Sequence, residues 1–284
     1  MKALILQSDF GYDDGAVCAM YGVAEGVCPN LRVFDLTHQI PQYNVWEASY
    51  RLLQTVPYWP KGSVFVSVVD PGVGSDRRSI AVRTSEGQII ITPDNGTLTH
   101  LKRIEGIQEV RLIDEDKNRL PKSGESYTFH GRDIFAFTGA RLASEIISFE
   151  DIGPAVDPES IVELPVMEAS IKDGVITGTI DVLDARFGSL WTNISRSLFG
   201  QLGLVHGNRV EVTISNETRT VYKNIMVYEK SFAEVNTGEP LLYVNSVNSM
   251  AVAINQGSFA KAYNIGTGIN WSISLRKAPR IVYE

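Results

Sequence analysis

One short segment places an acidic and a basic side chain where they could pair in a cleft. Asp70 follows an apolar stretch and precedes Pro71 and Gly72, so a turn holds its carboxylate on a rigid support. The spacing lets one of Arg77 and Arg78 return beside Asp70 while the other points to solvent. Such a pair can orient water and accept a proton in a cleft. It can equally clamp a loop, and spacing alone leaves both functions open.

A histidine in a second segment could join that pair. His130 precedes a predicted helix and stands between Phe129 and Gly131, where a glycine permits close approach of a ligand. Histidine can exchange protons near neutral pH, although a single histidine is often only a hydrogen-bonded structural residue. We expect no transition-metal site, because zinc-ligand spacing is absent from the four histidines, His38, His100, His130 and His206.

Three carboxylates follow the first predicted strand closely. Asp9 stands where a carboxylate can accept hydrogen bonds from both hydroxyls of a ribose, and we predict that role for it. Asp13 and Asp14 could cap the next helix instead. The three could also bind a divalent cation for metal-dependent hydrolysis. Since the chain has no glycine-rich phosphate loop of the P-loop type, we expect no bound metal and no cofactor.

Two further segments, in the second half of the chain, have side chains that could bind a nucleoside and an amino acid. Residues 184–193 mix an acid, aromatic rings and small polar groups, and Phe187 could stack on an adenine. Residues 245–249 offer groups that could bind the amino and carboxylate ends of an amino acid. The same Asn-Ser pattern is also typical of an ordinary turn.

The elements that must position these residues alternate in the first half of the chain. Strands are predicted at 3–7, 32–36, 63–69, 80–83, 88–91 and 110–113, and helices at 16–27, 45–56 and 134–144. This order predicts an α/β domain with a mostly parallel sheet flanked by helices. Ligands of such sheets bind at the carboxyl ends of strands, which is where Asp9 and Asp70 stand.

The second half of the chain changes character. Pro154, Pro158 and Pro165 mark an extended connector, and short alternating segments follow it with almost no helical period. They predict a smaller all-β, barrel-like domain. We therefore place an N-terminal domain at 1–153, a linker at 154–165 and a C-terminal domain at 166–284.

Composition and net charge restrict the kinds of molecule that the protein is expected to bind. Hydrophobic residues make up 44% and charged residues 21% of the chain, which suits a packed core without disulfides or metals. The net charge of −7 and the lack of a basic run argue against nucleic acid as a partner. Cys18 and Cys28 match no disulfide framework, and the apolar stretch before Ser8 is too short for a signal peptide or a membrane span. We expect a cytoplasmic protein.

Several of these segments, in order, resemble one enzyme family. The strings S-D-F-G-x-x-D, V-V-D-P-G-V-G-S-x-R-R, P-D-N-G, F-H-G-R-D and F-G-x-L-W-T-N-I, followed by Asn245-Ser246, are similar to the S-adenosylmethionine hydroxide adenosyltransferases, relatives of the bacterial fluorinases and chlorinases. The resemblance runs over about nine-tenths of the chain. It implies hydrolysis of S-adenosyl-L-methionine at C5′ by water, giving adenosine and L-methionine.

The resemblance also implies an assembly and roles for residues. The expected assembly is a homotrimer with sites between neighbouring subunits, and Asp70, Arg77 and His130 are the expected catalytic residues. Asp9 would hold the ribose, Tyr43 the sugar and thioether region, Asp184 with Ser246 the methionine part, and Phe187 with Phe232 the adenine. The remaining expected substrate contacts are Asp14, Asn95, Phe129, Gly131, Ser189 and Val247.

Departures from the pattern bear on the reaction. Ser189 stands where these proteins often have Asn, and Val247 stands where the halogenases place an Arg, so contacts to the methionine end are the least fixed. The halogenases carry a Tyr at the place of Asp70 and a Ser at that of Gly131. An acid there would repel a halide, which favours water as the nucleophile. The alternatives are a sensor that binds S-adenosylmethionine or adenosine without catalysis, and a halogenase.

Overall fold

The computed structural model describes residues 1–279 and divides the chain into two compact units, the second beginning at Pro165. The strands of the N-terminal unit are β1 (Leu4–Ser8), β2 (Val33–Thr37), β3 (Val64–Val68), β4 (Ser79–Thr84), β5 (Ile89–Pro93), β6 (Ile107–Leu112) and β7 (Ala155–Val156). Its helices are α1 (Ala16–Val27), α2 (Val45–Thr55), α3 (Thr99–Ile104), a π-helix (Gly131–Ala136) and α4 (Phe137–Ala143).

One mixed sheet organises this unit. Its strand order is β2-β1-β3-β5-β4-β6-β7, with β2, β1, β3 and β5 parallel and the later pairs antiparallel. The strands β1, β3 and β5 are buried along their whole length, which explains their nearly continuous apolar sequences. Apolar clusters around Phe135 and Phe65 form the core. The predicted α/β class is confirmed.

The helix predicted at 134–144 differs from the observed one. It begins three residues earlier, at Gly131, and its first six residues form a π-helix before α4 continues the chain. The prediction was wrong at this start because an apolar period of 3.6 residues carries no sign of the wider π turn. The start matters, since His130 is the residue immediately before it.

The C-terminal unit is a β-barrel. Its strands are β8 (Ser170–Lys172), β9 (Val175–Leu183), β10 (Leu190–Ser195), β11 (Arg209–Asn216), β12 (Thr220–Tyr228), β13 (Pro240–Val244), β14 (Ser249–Ile254) and β15 (Gly268–Lys277), with short helices α5 (Arg196–Gly200) and α6 (Phe259–Tyr263). The order β10-β14-β13-β12-β11-β15-β9 closes into a ring through pairing of β9 with β10, and β8 adds to β9. The predicted barrel-like domain is confirmed.

Inward side chains fill the barrel. Ile180, Val212, Leu242 and Ile273 are among its fully buried members. None of the helices within residues 1–279 has the length and apolar character needed to cross a membrane.

Candidate active site

The carboxyl ends of β1 and β3 bring two of the predicted acids to one edge of the sheet. The two strands are parallel neighbours, with Ser8 opposite Val68, so Asp9 and Asp70 both follow the end of a strand there. Asn95 supports this edge because its side-chain Nδ2 donates to the carbonyl of Val69 at 2.8 Å. The edge thus presents carboxylates on well-supported backbone.

Arg77 joins Asp70 to His130. Its Nε donates to both carboxylate oxygens of Asp70 at 3.0 Å, and its Nη2 donates to Oδ2 at 2.5 Å. The same Nη2 donates to Nδ1 of His130 at 3.0 Å. The side chains of Asp70 and Arg77 are only 5% and 10% exposed, so the pair is well shielded from water. The arginine therefore fixes the geometry of both neighbours.

The bond from Arg77 determines which nitrogen of His130 carries its proton. A guanidinium only donates, so Nδ1 must accept and the proton of the neutral imidazole lies on Nε2. Burial lowers the pKa of His130, and the positive charges of Arg77 and Arg119 lower it too, against the opposing charges of Glu115 and Asp70. The imidazole is therefore neutral near pH 7, and its buried Nε2–H has no hydrogen-bond partner among the described residues.

Arg78, the other arginine of the segment, does not point to solvent as predicted. Its Nε donates to Oδ2 of Asp94 at 2.7 Å, and its Nη2 donates to the carbonyl of Ser160. Asp94 also accepts from the backbone N–H of Val162. The reason is that the chain leading out of the sheet passes over this face, so Arg78 ties that chain down while Arg77 turns to Asp70.

Gly131 is required by the packing around His130. A Cβ atom at this position would lie 2.9 Å from Cζ of Phe10 and 3.3 Å from Cγ1 of Val68. Phe10 in turn packs edge-on against Phe129, with ring centroids 5.7 Å apart. The glycine thus lets the aromatic side chain beside Asp9 lie directly against the start of the π-helix.

Asp9 is held by an unusual backbone conformation. Its Oδ2 accepts from the backbone N–H of Tyr43 at 2.8 Å, and Tyr43 has a φ of 64°. A left-handed conformation costs a tyrosine about 1 kcal/mol or more, and such strain concentrates at functional sites. The side chain of Tyr43 is left exposed beside the carboxylate.

A buried polar chain supports the loop that carries Asp9. Oγ of Ser8 lies 2.6 Å from Nδ1 of His38, whose Nε2 lies 3.0 Å from Oδ1 of Asp35. The backbone N–H of Phe10 donates to the same Ser8 oxygen. Because Ser8 and His38 are fully buried, this arrangement holds the loop and is closed to a substrate.

These residues surround a cavity of about 280 Å³ in the N-terminal unit. Six predicted site residues line it, namely Asp9, Tyr43, Asp70, Phe129, His130 and Gly131. Five residues that were not predicted complete the lining: Phe10, Gln42, Val68, Val73 and Thr128. All five lie within three residues of a predicted one, so sequence neighbourhood was the available signal.

Two expected contacts lie outside this lining. Oδ1 of Asp14 accepts from the backbone N–H of Ala16, the first residue of α1, at 2.8 Å, although the N-cap residue itself is Gly15. Asn95 turns its amide toward Val69 and accepts from Thr97. Arg77 is not itself a lining residue and reaches the cavity through Asp70 and His130.

A second cavity, of about 890 Å³, lies in the C-terminal unit. Its lining includes the predicted residues Asp184, Phe187, Ser189, Phe232 and Ser246, together with the unpredicted Trp191 and Tyr243. Val247 is not in the lining. Two aromatic side chains stand open at it, with Phe187 70% and Phe232 39% exposed, a surface on which a planar ring can stack.

Turns shape this second cavity. Oδ1 of Asp184 accepts from the backbone N–H groups of Arg186 and Phe187, and Oδ1 of Asn245 accepts from those of Val247 and Ser249. The hydrogen bonds of the Asn245 oxygen therefore support the interpretation of residues 245–249 as an ordinary turn. The amide Nδ2 of Asn245, however, is buried without a hydrogen-bond partner among the described residues.

Residues 1–279 contain no group of three or more His, Cys, Asp or Glu side chains arranged to hold a metal ion. The acids Asp9, Asp13 and Asp14 therefore do not converge on one point.

Comparison with known proteins agrees across both units. Residues 4–153 match the SAM hydroxide adenosyltransferase N-terminal domain and residues 178–272 match the C-terminal domain of that family. An (R)-S-adenosyl-L-methionine hydrolase of Salinispora tropica is 37% identical over 92% of this chain and 93% of its own. A fluorinase of Actinopolyspora mzabensis is 26% identical over 94% and 95%. The crystal structure of an uncharacterized conserved protein from Thermotoga maritima superimposes with a TM-score of 0.87 at 28% identity, covering 96% of this chain and all of that one.

Proposed function

This chain belongs to the SAM hydroxide adenosyltransferase family, and we propose that it hydrolyses S-adenosyl-L-methionine at a site built on Asp70, Arg77 and His130. The products are adenosine and L-methionine. The observation that carries the assignment of these residues is the single guanidinium that binds both the carboxylate and the imidazole beside the cavity.

The reaction is a displacement at C5′. The oxygen of water attacks C5′, the C5′–sulfur bond breaks, and its electron pair stays on sulfur, which becomes the neutral thioether of methionine. The sulfonium loses its charge as this happens, so a dry and preorganised cavity assists the step. Holding the water in line with the bond supplies the rest of the rate enhancement.

The hydrogen-bond directions support Asp70 as the group that accepts the proton. Because His130 presents an N–H at Nε2, it can donate to the water oxygen but cannot accept a proton there. Asp70 lines the same cavity and its carboxylate is an acceptor. Asp70 is therefore the general base, His130 orients the nucleophile, and Arg77 holds both.

The same carboxylate bears on the choice of nucleophile. Asp70 is shielded from bulk solvent, so the part of its negative charge that Arg77 does not compensate acts strongly on anything beside it. A halide entering the cavity would be repelled, whereas neutral water would be polarised. Hydrolysis is accordingly favoured over the halogenation catalysed by the fluorinase relatives.

We propose the remaining substrate contacts from the residues that line the two cavities. Asp9 binds the ribose hydroxyls beside Tyr43, and Phe187 and Phe232 stack on the adenine. Asp184, Ser189 and Ser246 meet the methionine part. The (R) in the name of the relative describes the sulfonium, because L already fixes the amino acid centre, and we expect this chain to act on the same epimer.

An isotope experiment tests the reaction. The protein is incubated with separated (R) and (S) sulfonium epimers in ¹⁸O-labelled water, with chloride and fluoride as competitors, and the products are analysed by mass spectrometry. We expect ¹⁸O at the 5′ oxygen of adenosine, from the (R) epimer. Unlabelled adenosine would refute attack by water, a halogenated nucleoside would favour the halogenase, and tight binding without methionine release would favour a sensor.

A homotrimer with sites between subunits is the proposed assembly. The N-terminal cavity is slightly smaller than the roughly 300 Å³ at which ligand pockets begin, so it suits part of a substrate. Light scattering should give a mass of three chains. Mixed Asp70→Asn and Phe187→Ala subunits should regain activity if neighbours share a site, and no regain would place each site within one chain.

The free thiols Cys18 and Cys28 fit a reducing compartment such as the cytoplasm.

A further inference from the structure

A second set of polar side chains contacts Arg77 through hydrogen bonds not described above. Nη1 of Arg77 donates to Oγ of Ser79 at 2.7 Å, and that hydroxyl donates to Oε1 of Glu115 at 2.7 Å. The other oxygen of Glu115 accepts from Nη2 of Arg119 at 3.0 Å. The hydrogen-bonded chain that begins at Asp70 therefore runs on through Arg77 and Ser79 to Glu115.

The sheet explains why these residues meet. Ser79 begins β4, and its antiparallel neighbour β6 ends at Leu112, with Ile80 opposite Leu112. The backbone N–H of Ile113 donates to the carbonyl of Ser79, which continues the ladder by one more bond. The turn after β6 thus delivers Glu115 to the start of β4. The position is set by backbone pairing and not by a chance surface contact.

We propose that Glu115 is a positioning residue for the hydrolysis, fixing the guanidinium of Arg77 through Ser79 and setting the charge that faces His130. This inference rests on the proposed function and adds to it a residue to which no role has been assigned. With Nη1 held by Ser79 and with Nε and Nη2 held by Asp70, the guanidinium cannot rotate in its plane. The bond to Nδ1 of His130 depends on that orientation.

The charges facing His130 make the role measurable. Four charged groups act on the imidazole: Arg77 and Arg119 lower its pKa, and Glu115 and Asp70 raise it. Tyr127 also faces it, with ring centroids 6.5 Å apart, and Arg119 lies over that tyrosine ring. Loss of the Glu115 charge leaves two cations and only one anion around His130. Its pKa must then fall further.

A carboxylate that only stabilises the turn would behave differently. It would change the melting temperature when replaced, and it would leave the pKa of His130 and the orientation of Arg77 as they are. Glu109 provides a matched control, because it lies on β6 and its carboxylate binds Arg83 and Arg111, away from the cavity.

The test compares Glu115→Gln with Glu109→Gln in the full chain. Adenosine formation gives kcat and KM, and NMR of ¹³C-histidine-labelled protein gives the pKa of His130. For Glu115→Gln we expect kcat to fall about tenfold with little change in KM, because the groups that act on the water lose their alignment. We also expect the pKa of His130 to drop, because the raising effect of the Glu115 charge is lost. Glu109→Gln should change neither.

A second variant separates the two effects. Ser79→Ala breaks the link to Arg77 but keeps the charge of Glu115, so kcat should fall while the pKa of His130 changes less than in Glu115→Gln. Equal behaviour of Glu115→Gln and Glu109→Gln, or a fall in kcat with no change in the His130 pKa, would overturn the inference. A wild-type chain that makes no adenosine would overturn the proposed function itself, and this inference with it.

Discussion

Replacing Asp70 with Asn tests the proposed general base most directly. The amide has nearly the shape of the carboxylate and keeps one acceptor oxygen for Arg77, but it loses the charge and cannot take a proton from water. Loss of a general base costs about 10²- to 10⁴-fold in rate. We expect kcat for adenosine formation to fall by about 10³-fold, measured by chromatography under saturating substrate.

The same change should lower stability, and its size follows from burial. Asp70 and Arg77 are 5% and 10% exposed, and removal of one member of a buried ion pair costs about 3–5 kcal/mol. Because Asn retains an acceptor, we expect about 3 kcal/mol less free energy of unfolding. Urea unfolding measures this loss and shows whether the variant is folded during the assay.

Asp94→Asn is the matched control. Asp94 is 2% exposed and pairs with Arg78, the residue next to Arg77, but it does not line the cavity. It should lose a similar amount of stability and keep its rate within about threefold, since no group that contacts the water has changed. If Asp70→Asn retained wild-type kcat, or if the two variants lost rate equally while folded, our assignment of the base would be wrong.

Three more outcomes follow. Gly131→Ala should lower the free energy of unfolding by about 1–3 kcal/mol and lower kcat/KM, because its Cβ would lie 2.9 Å from Phe10. Gly124→Ala is the control, since the space around its Cβ is open, and it should change neither quantity in unfolding and rate assays. Burial lowers the pKa of His130 and His38, and that of His100 to about 4, so the free energy of unfolding should be highest above pH 6.5 and should fall between pH 6.5 and 4. Urea titrations at stepped pH measure this slope, and His100→Gln should make it flatter. An unchanged slope in that variant would contradict the reasoning. Adenosine formation should be unaffected by a chelator, and its loss would instead show that a metal ion takes part in the reaction.

The half-buried β6 begins at Ile107, three residues before the predicted 110–113, whereas β1 and β3 match their predictions to within one residue because they are buried on both faces and read as apolar runs. The same pattern placed Asp9 and Asp70 at strand ends, which parallel pairing of β1 and β3 then brings together. Spacing could not tell which arginine turns to Asp70, because the answer depends on Asp94 and Ser160, 16 and 82 residues beyond Arg78. The link from Ser79 to Glu115 was invisible for the same reason, since antiparallel pairing of distant strands creates it.

The geometry of His130 could not be read from residue types either. A histidine beside an acid suggests a base, yet the donor that reaches Nδ1 makes it a donor at Nε2. The π-helix that starts after it and the left-handed backbone of Tyr43 are likewise set by tertiary packing. Periodicity and turn statistics give no signal for either, because neither feature has a composition of its own.

The closed barrel has a consequence for how the chain is made. β9 and β10 pair in the barrel and are also consecutive strands in the sequence, but β9 pairs on its other side with β15. The ring can therefore form only when residues 175–183 and residues 268–277 are both present. The ring therefore cannot close until Lys277 has left the ribosome, while every strand of the first sheet has emerged by Val156. We therefore expect the sheet around Asp70 to be complete before the barrel is, and the pairing of β15 with β9 to be the last step of folding.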